Sequence, residues 1–358
     1  MRKKMAIFLA VIIALDVIAL GVIFFTRNSS RPDISADAAP GADPTASTSQ
    51  QELLSKVSFV AVGDNLIHDT IYEQAAARSS GGYDFSYAYE NVAPLIKAPD
   101  VAILNQETII STDHNVSSYP MFNSPVEVGE EMLKIGFDVF NIATNHSLDC
   151  GEKGLISAIN YWKSKNVITT GAYLNSEEQQ KAAVGEVNGV KIAYLGFTES
   201  TNGLSLPKDS EVVLVRASDE TLLQQKIMKA REVADFVIVN AHWGNEYTHE
   251  PTTEQRELAK KLASWGADVI IGTHPHVIQP VEYIENSDGR RTLVAYSLGN
   301  FISAQNRGPR MLGGMINFDI VKNNNTGKVA IENVVFSGVV THYGYNASNV
   351  RIYLTLSA

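Results

Sequence analysis

Seven short apolar, β-branched runs recur along the chain, at residues 56–62 (KVSFVAV), 101–104 (VAIL), 137–142 (FDVFNI), 191–197 (KIAYLGF), 236–240 (FVIVN), 268–271 (DVII) and 293–296 (LVAY). Their length and branching predict buried strands. Between them, residues 86–97, 126–135, 151–165, 217–233 and 252–265 read as helices. In the last of these Leu258, Leu262 and Trp265 share one face. Strands alternating with helices predict an α/β fold whose sheet faces are covered. The pattern changes after residue 314. Stretches 314–321, 327–337, 339–343 and 350–356 follow one another as strands, joined by turns such as 323–327, and are expected to pair antiparallel.

The first 54 residues read differently. Arg2, Lys3 and Lys4 precede an apolar run over 5–25, interrupted only by Asp16. About 20 apolar residues span the hydrocarbon core as a helix, whereas a secretory h-region is usually about 7–15 residues long. No clear small-residue cleavage site and no nearby cysteine follow, so the run predicts a transmembrane signal anchor with 1–4 in the cytoplasm and everything after it outside; the alternative is cleavage that releases the body. Residues 26–54 are rich in Ser, Asp, Ala, Pro and Thr and predict a flexible linker. Residues 55–358 form the body.

Composition narrows the chemistry. Of 358 residues 45% are hydrophobic and 19% charged, which excludes collagen-like and wholly disordered classes. The net charge of −10 lies entirely in the body, where 24 basic residues face 34 acidic ones, so nucleic acid is not expected as a partner. A single cysteine, Cys150, permits neither an intramolecular disulfide nor a cysteine-rich zinc site.

What remains is a recurrence at the strand ends. Asp64 and His68 follow the first strand, Asn105 and Glu107 the second, Asn145 and His146 the third, His242 a later one, and His274 and His276 the next. Ligand sites of open α/β sheets lie outside the carboxyl ends of the strands, so these residues would converge. Counting His249, six of the eight histidines belong to this set; His114 and His342 do not. Neutral imidazole and carboxylate suit divalent zinc, manganese or iron. A metal pair needs a bridging carboxylate, and Glu107 is best placed. Each residue taken alone has a plainer reading, as a helix cap, a turn or a packed ring.

Six ordered motifs carry a family resemblance: Gly63-Asp64-Asn65-Leu66-Ile67-His68, Asn105-Gln106-Glu107, Ala143-Thr144-Asn145-His146-Ser147-Leu148-Asp149-Cys150-Gly151, His242-Trp243-Gly244-Asn245-Glu246-Tyr247, Gly272-Thr273-His274-Pro275-His276-Val277 and Tyr296-Ser297-Leu298-Gly299-Asn300-Phe301. Together they resemble the bacterial capsule-synthesis CapA family, the poly-γ-glutamate biosynthesis proteins, from about residue 55 to 314. That family is similar in turn to calcineurin-like metallophosphoesterases. The resemblance implies a four-layer α/β/β/α sandwich with two divalent ions (Mn, Zn or Fe) at strand ends. It implies Asp64, Glu107, His276 and His68 around one ion, Glu107, Asn145, His242 and His274 around the other, and His146 as the catalytic proton donor. Two departures stand out. Leu66 occupies the place of the usual histidine, with His68 as a substitute if a helical turn brings it round. Glu107 replaces an aspartate.

Three function classes follow. The first is a hydrolase or transferase acting on an anionic envelope polymer such as poly-γ-glutamate. The second is a non-catalytic, polymer-binding assembly subunit working with membrane synthase subunits. The third is an extracellular phosphoesterase. Expected substrate contacts are Asn105, Trp243, Glu246 and Asn300, with Arg307 and Arg310 as partners for carboxylates. Tyr247 and Phe301 follow the same strands; core packing is the expectation for Phe301.

Overall fold

The computed structural model describes residues 53–355. The expected anchor at 5–25, and all but the last two residues of the expected linker, lie outside them. Among the described residues no helix is long and apolar enough to cross a membrane.

In chain order the strands are β1 (Leu54–Asn65), β2 (Val101–Asn105), β3 (Val139–Asn141), β4 (Ile168–Thr170), β5 (Ala172–Tyr173), β6 (Ala183–Val187), β7 (Val190–Thr198), β8 (Val213–Leu214), β9 (Phe236–His242), β10 (Val269–Thr273), β11 (Val281–Glu285), β12 (Arg291–Ala295), β13 (Asn300–Ile302), β14 (Leu312–Asn323), β15 (Val329–His342) and β16 (Arg351–Leu354). The helices are α1 (Asp69–Ala77), α2 (Ser86–Tyr89), α3 (Ala93–Lys97), α4 (Val126–Ile135), α5 (Gly151–Lys163), α6 (Ser176–Gln180), α7 (Glu220–Val233) and α8 (Thr253–Trp265).

One sheet has the order β16-β15-β14-β1-β2-β3-β4, with β13 also pairing with β1. Its strands β1 to β4 are parallel, and β14 to β16 are antiparallel. The second sheet, β11-β12-β10-β9-β7-β6, has a parallel centre and antiparallel edges. Alternation along the strands sorts the apolar side chains into three cores. Val57, Phe59, Ala61, Ile103, Ile192, Ile238 and Ile271 pack between the sheets. Val60, Val62, Leu104, Val128, Met132 and Trp162 pack the first sheet against α1 to α5. Val237, Val239, Leu223, Ile227, Ala259 and Leu262 pack the second against α7 and α8. This is the four-layer α/β/β/α sandwich expected of a metallophosphoesterase-like chain.

Some boundaries differ from the sequence reading. The single helix expected over 86–97 is two short ones, because Pro94 lacks an N–H and starts α3 instead of continuing α2. The strands expected at 327–337 and 339–343 are one, β15, which runs through Gly338. The edge strands β6 and β11 carry too much polar character to be read as strands.

Candidate metal centre

All the strand-end residues that matter come from the carboxyl ends of parallel strands. Asp64 lies at the end of β1, and Asn105 and Glu107 at and just past the end of β2. Asn145 and His146 follow β3, His242 ends β9, and His274 and His276 follow β10. Each of these residues is less than a tenth exposed.

Asp64 is aimed by a bulge. Ala61 pairs with Ile103 but Asp64 pairs with Asn105, so β1 carries one residue more than β2 across that step. Gly63 makes this possible: a Cβ there would lie 1.8 Å from the Gly299 carbonyl oxygen. Asp64 then accepts from Asn105 Nδ2 at 2.8 Å through Oδ1 and from the His274 N–H at 3.2 Å through Oδ2. His276 Nδ1 lies 3.2 Å from Asp64 Oδ2 and 3.0 Å from Asn300 Oδ1. Both are acceptors, so Nδ1 carries the proton and Nε2 keeps its lone pair, 3.6 Å from Glu107 Oε1. His274 and His276 both have positive φ, 96° and 58°, a conformation non-glycine residues seldom adopt.

Glu107 is the anomaly. It is fully buried, and neither carboxylate oxygen has a hydrogen-bond partner; His274 Nδ1 is likewise unpartnered. Burial, and then the Asp64 carboxylate, hold the Glu107 acid well above the usual range. Burial holds His242 well below the usual imidazole range and lowers His274 to about 4, so both rings are neutral near pH 7. Glu107, His274 and His276 present ligand atoms that all lie within 4.8 Å of one another. A buried carboxylate without donors beside neutral imidazoles is costly alone and suited to a divalent cation. His242 Nε2 and Asn145 Oδ1 are 2.9 Å apart, close to the roughly 3 Å that separates neighbouring ligands of one ion with bonds of about 2.1 Å.

His146 sits beside this group. Its Nδ1 is 2.7 Å from Asp149 Oδ2, and the carboxylate also accepts from the Phe122 N–H at 2.7 Å. The pair fixes the tautomer that leaves Nε2 as the free nitrogen. Asp149 stands within its sequence motif with no expected role; its signal is its spacing, three residues beyond His146 in a turn. Phe122 was missed altogether. Its ring packs edge-on against His146 at 4.7 Å and His68 at 5.2 Å.

Other expected site residues are placed differently. No helical turn lies between Asp64 and His68: His68 is extended, at the N-cap position of α1, and the helix begins after it. Its Nδ1 accepts from the Ala304 N–H at 3.2 Å, and it stands outside the trio. Trp243 is buried between the second sheet and its helices, donating from Nε1 to the Tyr296 carbonyl at 2.9 Å, so it offers no surface to a substrate. Asn105 and Asn300 are buried too. They orient Asp64 and His276, and Asn300 Nδ2 donates to the Arg310 carbonyl at 2.9 Å. Phe301 is in the core. His249 is exposed and bonds the Ile278 carbonyl, His114 contacts Ser111, and His342 packs on Tyr353. At the rim, Glu246 and Tyr247 follow β9. Arg307 is exposed, and Arg310 lies over the Tyr247 ring at 3.3 Å.

Residues 58–305 match the sequence profile of the family described as bacterial capsule synthesis protein PGA_cap. The chain is 32% identical over 251 residues to the PGA biosynthesis protein CapA of Bacillus subtilis, covering 68% of this chain and 63% of that one. It is 31% identical over 259 residues to the capsule biosynthesis protein CapA of Bacillus anthracis, covering 70% and 60%. It thus spans somewhat under two thirds of the length of these relatives. Among solved structures it is similar to a phosphatase of Mycoplasma pneumoniae, with 14% identity, a TM-score of 0.47 and coverage of 79% and 94%. It is also similar to the calcineurin-like phosphoesterase YfkN of Bacillus subtilis, with 15% identity, a TM-score of 0.45 and coverage of 80% and 91%. The chain belongs to the PGA_cap capsule synthesis family.

Proposed function

From that membership we propose that this chain is a metal-dependent hydrolase or transferase acting on an anionic envelope polymer of the poly-γ-glutamate kind, held at the outer face of a membrane by residues 5–25. The observation that carries the catalytic part is Glu107: a fully buried carboxylate with neither oxygen satisfied, facing neutral imidazoles from the opposite sheet. Two divalent ions fit this donor set. Asp64, Glu107 and His276 would hold one, and Glu107, Asn145, His242 and His274 the other. Divalent ions in such a site supply Lewis acidity and a water nucleophile near neutral pH.

The chain's own groups do the rest. Asn105 and the His274 N–H orient Asp64, and Asn300 orients His276. Asp149 keeps the Nδ1 proton of His146 in place, so that protonated His146 delivers a proton from Nε2 to the leaving group and stabilises charge developing there. Closure of the two sheets over the cluster excludes bulk water from these groups.

The test is metal content and polymer turnover of the full-length protein beside His146→Ala. About two divalent ions per chain, with shortening of poly-γ-glutamate that His146→Ala abolishes, supports the reading. A protein that retains no zinc, manganese or iron after reconstitution overturns it.

One observation favours a second reading. Buried Leu66 stands where phosphoesterases carry a histidine, and His68 is tied by its Nδ1 to the backbone. A non-catalytic assembly subunit would tolerate both. Polymer binding that survives metal removal, without turnover, would select it.

A further inference from the structure

Nine arginines lie among the described residues. Seven of them meet a carboxylate, carbonyl, amide or hydroxyl oxygen of the protein. The two whose guanidinium groups have no such partner among the described residues are Arg307, just before the 3-10 turn Gly308–Met311, and Arg310, within it.

Of the two, Arg310 is built in. It is half-buried, with its guanidinium 3.3 Å above the Tyr247 ring. Tyr247 in turn lies 5.9 Å from the His276 ring, and its backbone N–H donates to the Pro275 carbonyl at 2.7 Å. Tyr247 holds a positive φ of 65°, an outlier for an aromatic residue that the surrounding contacts must enforce. From the other side, Asn300 joins the Arg310 carbonyl to His276 Nδ1. Tyr247 thus holds the guanidinium and Asn300 the backbone of Arg310 beside a candidate metal ligand. Stacking occupies its face and leaves its N–H edge available, and that edge is the fork that matches a carboxylate bidentately.

We propose that Arg310, laid flat on Tyr247 beside His276, is a subsite for a carboxylate of the substrate chain, and that it gives the site its preference for a polycarboxylate over a neutral polymer. This rests on the polymer reading above and adds the group that is recognised and its place. A body at −10 repels a polyanion at long range, but a partly desolvated guanidinium acts at contact, where salt screens it little. Arg307, exposed and unstacked, adds charge for a neighbouring carboxylate and little geometry.

The experiment is equilibrium binding of fluorescently labelled poly-γ-glutamate to the full-length chain, with manganese present and after its removal. Arg310→Ala is expected to weaken binding about tenfold or more, and Tyr247→Ala by a similar factor. Arg310→Lys should fail to restore it, since an ammonium neither stacks flat nor forks, and Arg307→Ala should cost about twofold. Thermal midpoint and metal content report that each variant is folded. Wild-type affinity in folded Arg310→Ala overturns the subsite and leaves the polymer reading standing. Equal binding of the methyl-esterified polymer, or tighter binding of a polyphosphate chain, overturns carboxylate recognition. Absence of polymer binding by the wild-type protein, with or without manganese, overturns the polymer reading itself.

Discussion

The two sheets contribute different chemistry to one site. The first supplies oxygen: Asp64, Glu107 and Asn145, with Asn105 behind them. The second supplies nitrogen: His242, His274 and His276. Neither half is a site alone. The oxygen half holds a buried Glu107 carboxylate with no donors, and in the nitrogen half burial keeps His242 and His274 neutral. The candidate centre lies at the interface between the sheets, so an ion bound there would link metal binding to sheet packing. An ion held from both sides cross-links two layers otherwise joined by apolar contact.

That contrast predicts how the halves fail. Removing the nitrogen half has the largest effect. His274→Ala/His276→Ala should lose essentially all bound divalent metal while retaining native far-UV circular dichroism; metal content equal to wild type would break the comparison. Next comes His146→Ala, which lies outside both halves and should lower turnover roughly 10²–10⁴-fold with metal content unchanged. Removing charge from the oxygen half works in two directions. Glu107→Gln should weaken metal binding yet stabilise the metal-free protein, because it deletes the unsatisfied buried acid. Denaturant midpoints with and without chelator would check both signs. Metal at about 100 times its dissociation constant should raise wild-type stability by about 2.7 kcal/mol, and Glu107→Gln should forfeit much of that.

The smallest effect concerns pH. His68 and His274 sit near 4 when folded, below the ordinary imidazole value of 6.5. A lowered imidazole means that the unfolded chain binds more protons. The metal-free protein should therefore lose stability as pH falls from about 6.5 toward 4, and His68→Gln should flatten part of that slope. A slope unchanged by that substitution would place the effect elsewhere.

The oxygen and nitrogen halves are equally legible along the chain, because each candidate ligand follows an apolar run at the carboxyl end of a strand. What the pattern hid was direction. Asn105 and Asn300 follow strands just as Asn145 does, yet they point at Asp64 and His276 and not into the cleft. Trp243 follows His242 and turns to the opposite face, into the core. A strand end announces polarity but not which way each side chain leaves it. Asp149 went unassigned because its partner lies on the same turn and the pairing needs three dimensions. The layer order of the body could be read because the helices and central strands carry clean periodicity. Edge strands such as β11, half-exposed along their length, do not.

One extra residue near Gly63 has a consequence for length. Pairing along β1 fixes Leu54 to Val62 against β14 and Phe59 to Ala61 against β2. In strict alternation Asp64 would fall on the side of Val60 and Val62, toward the helices. The bulge spends an odd count to break that rule. Deleting a single residue at 62–63 would keep every ligand in the sequence and turn the first of them away from the others. Counting, as much as composition, decides whether this chain has a centre at all.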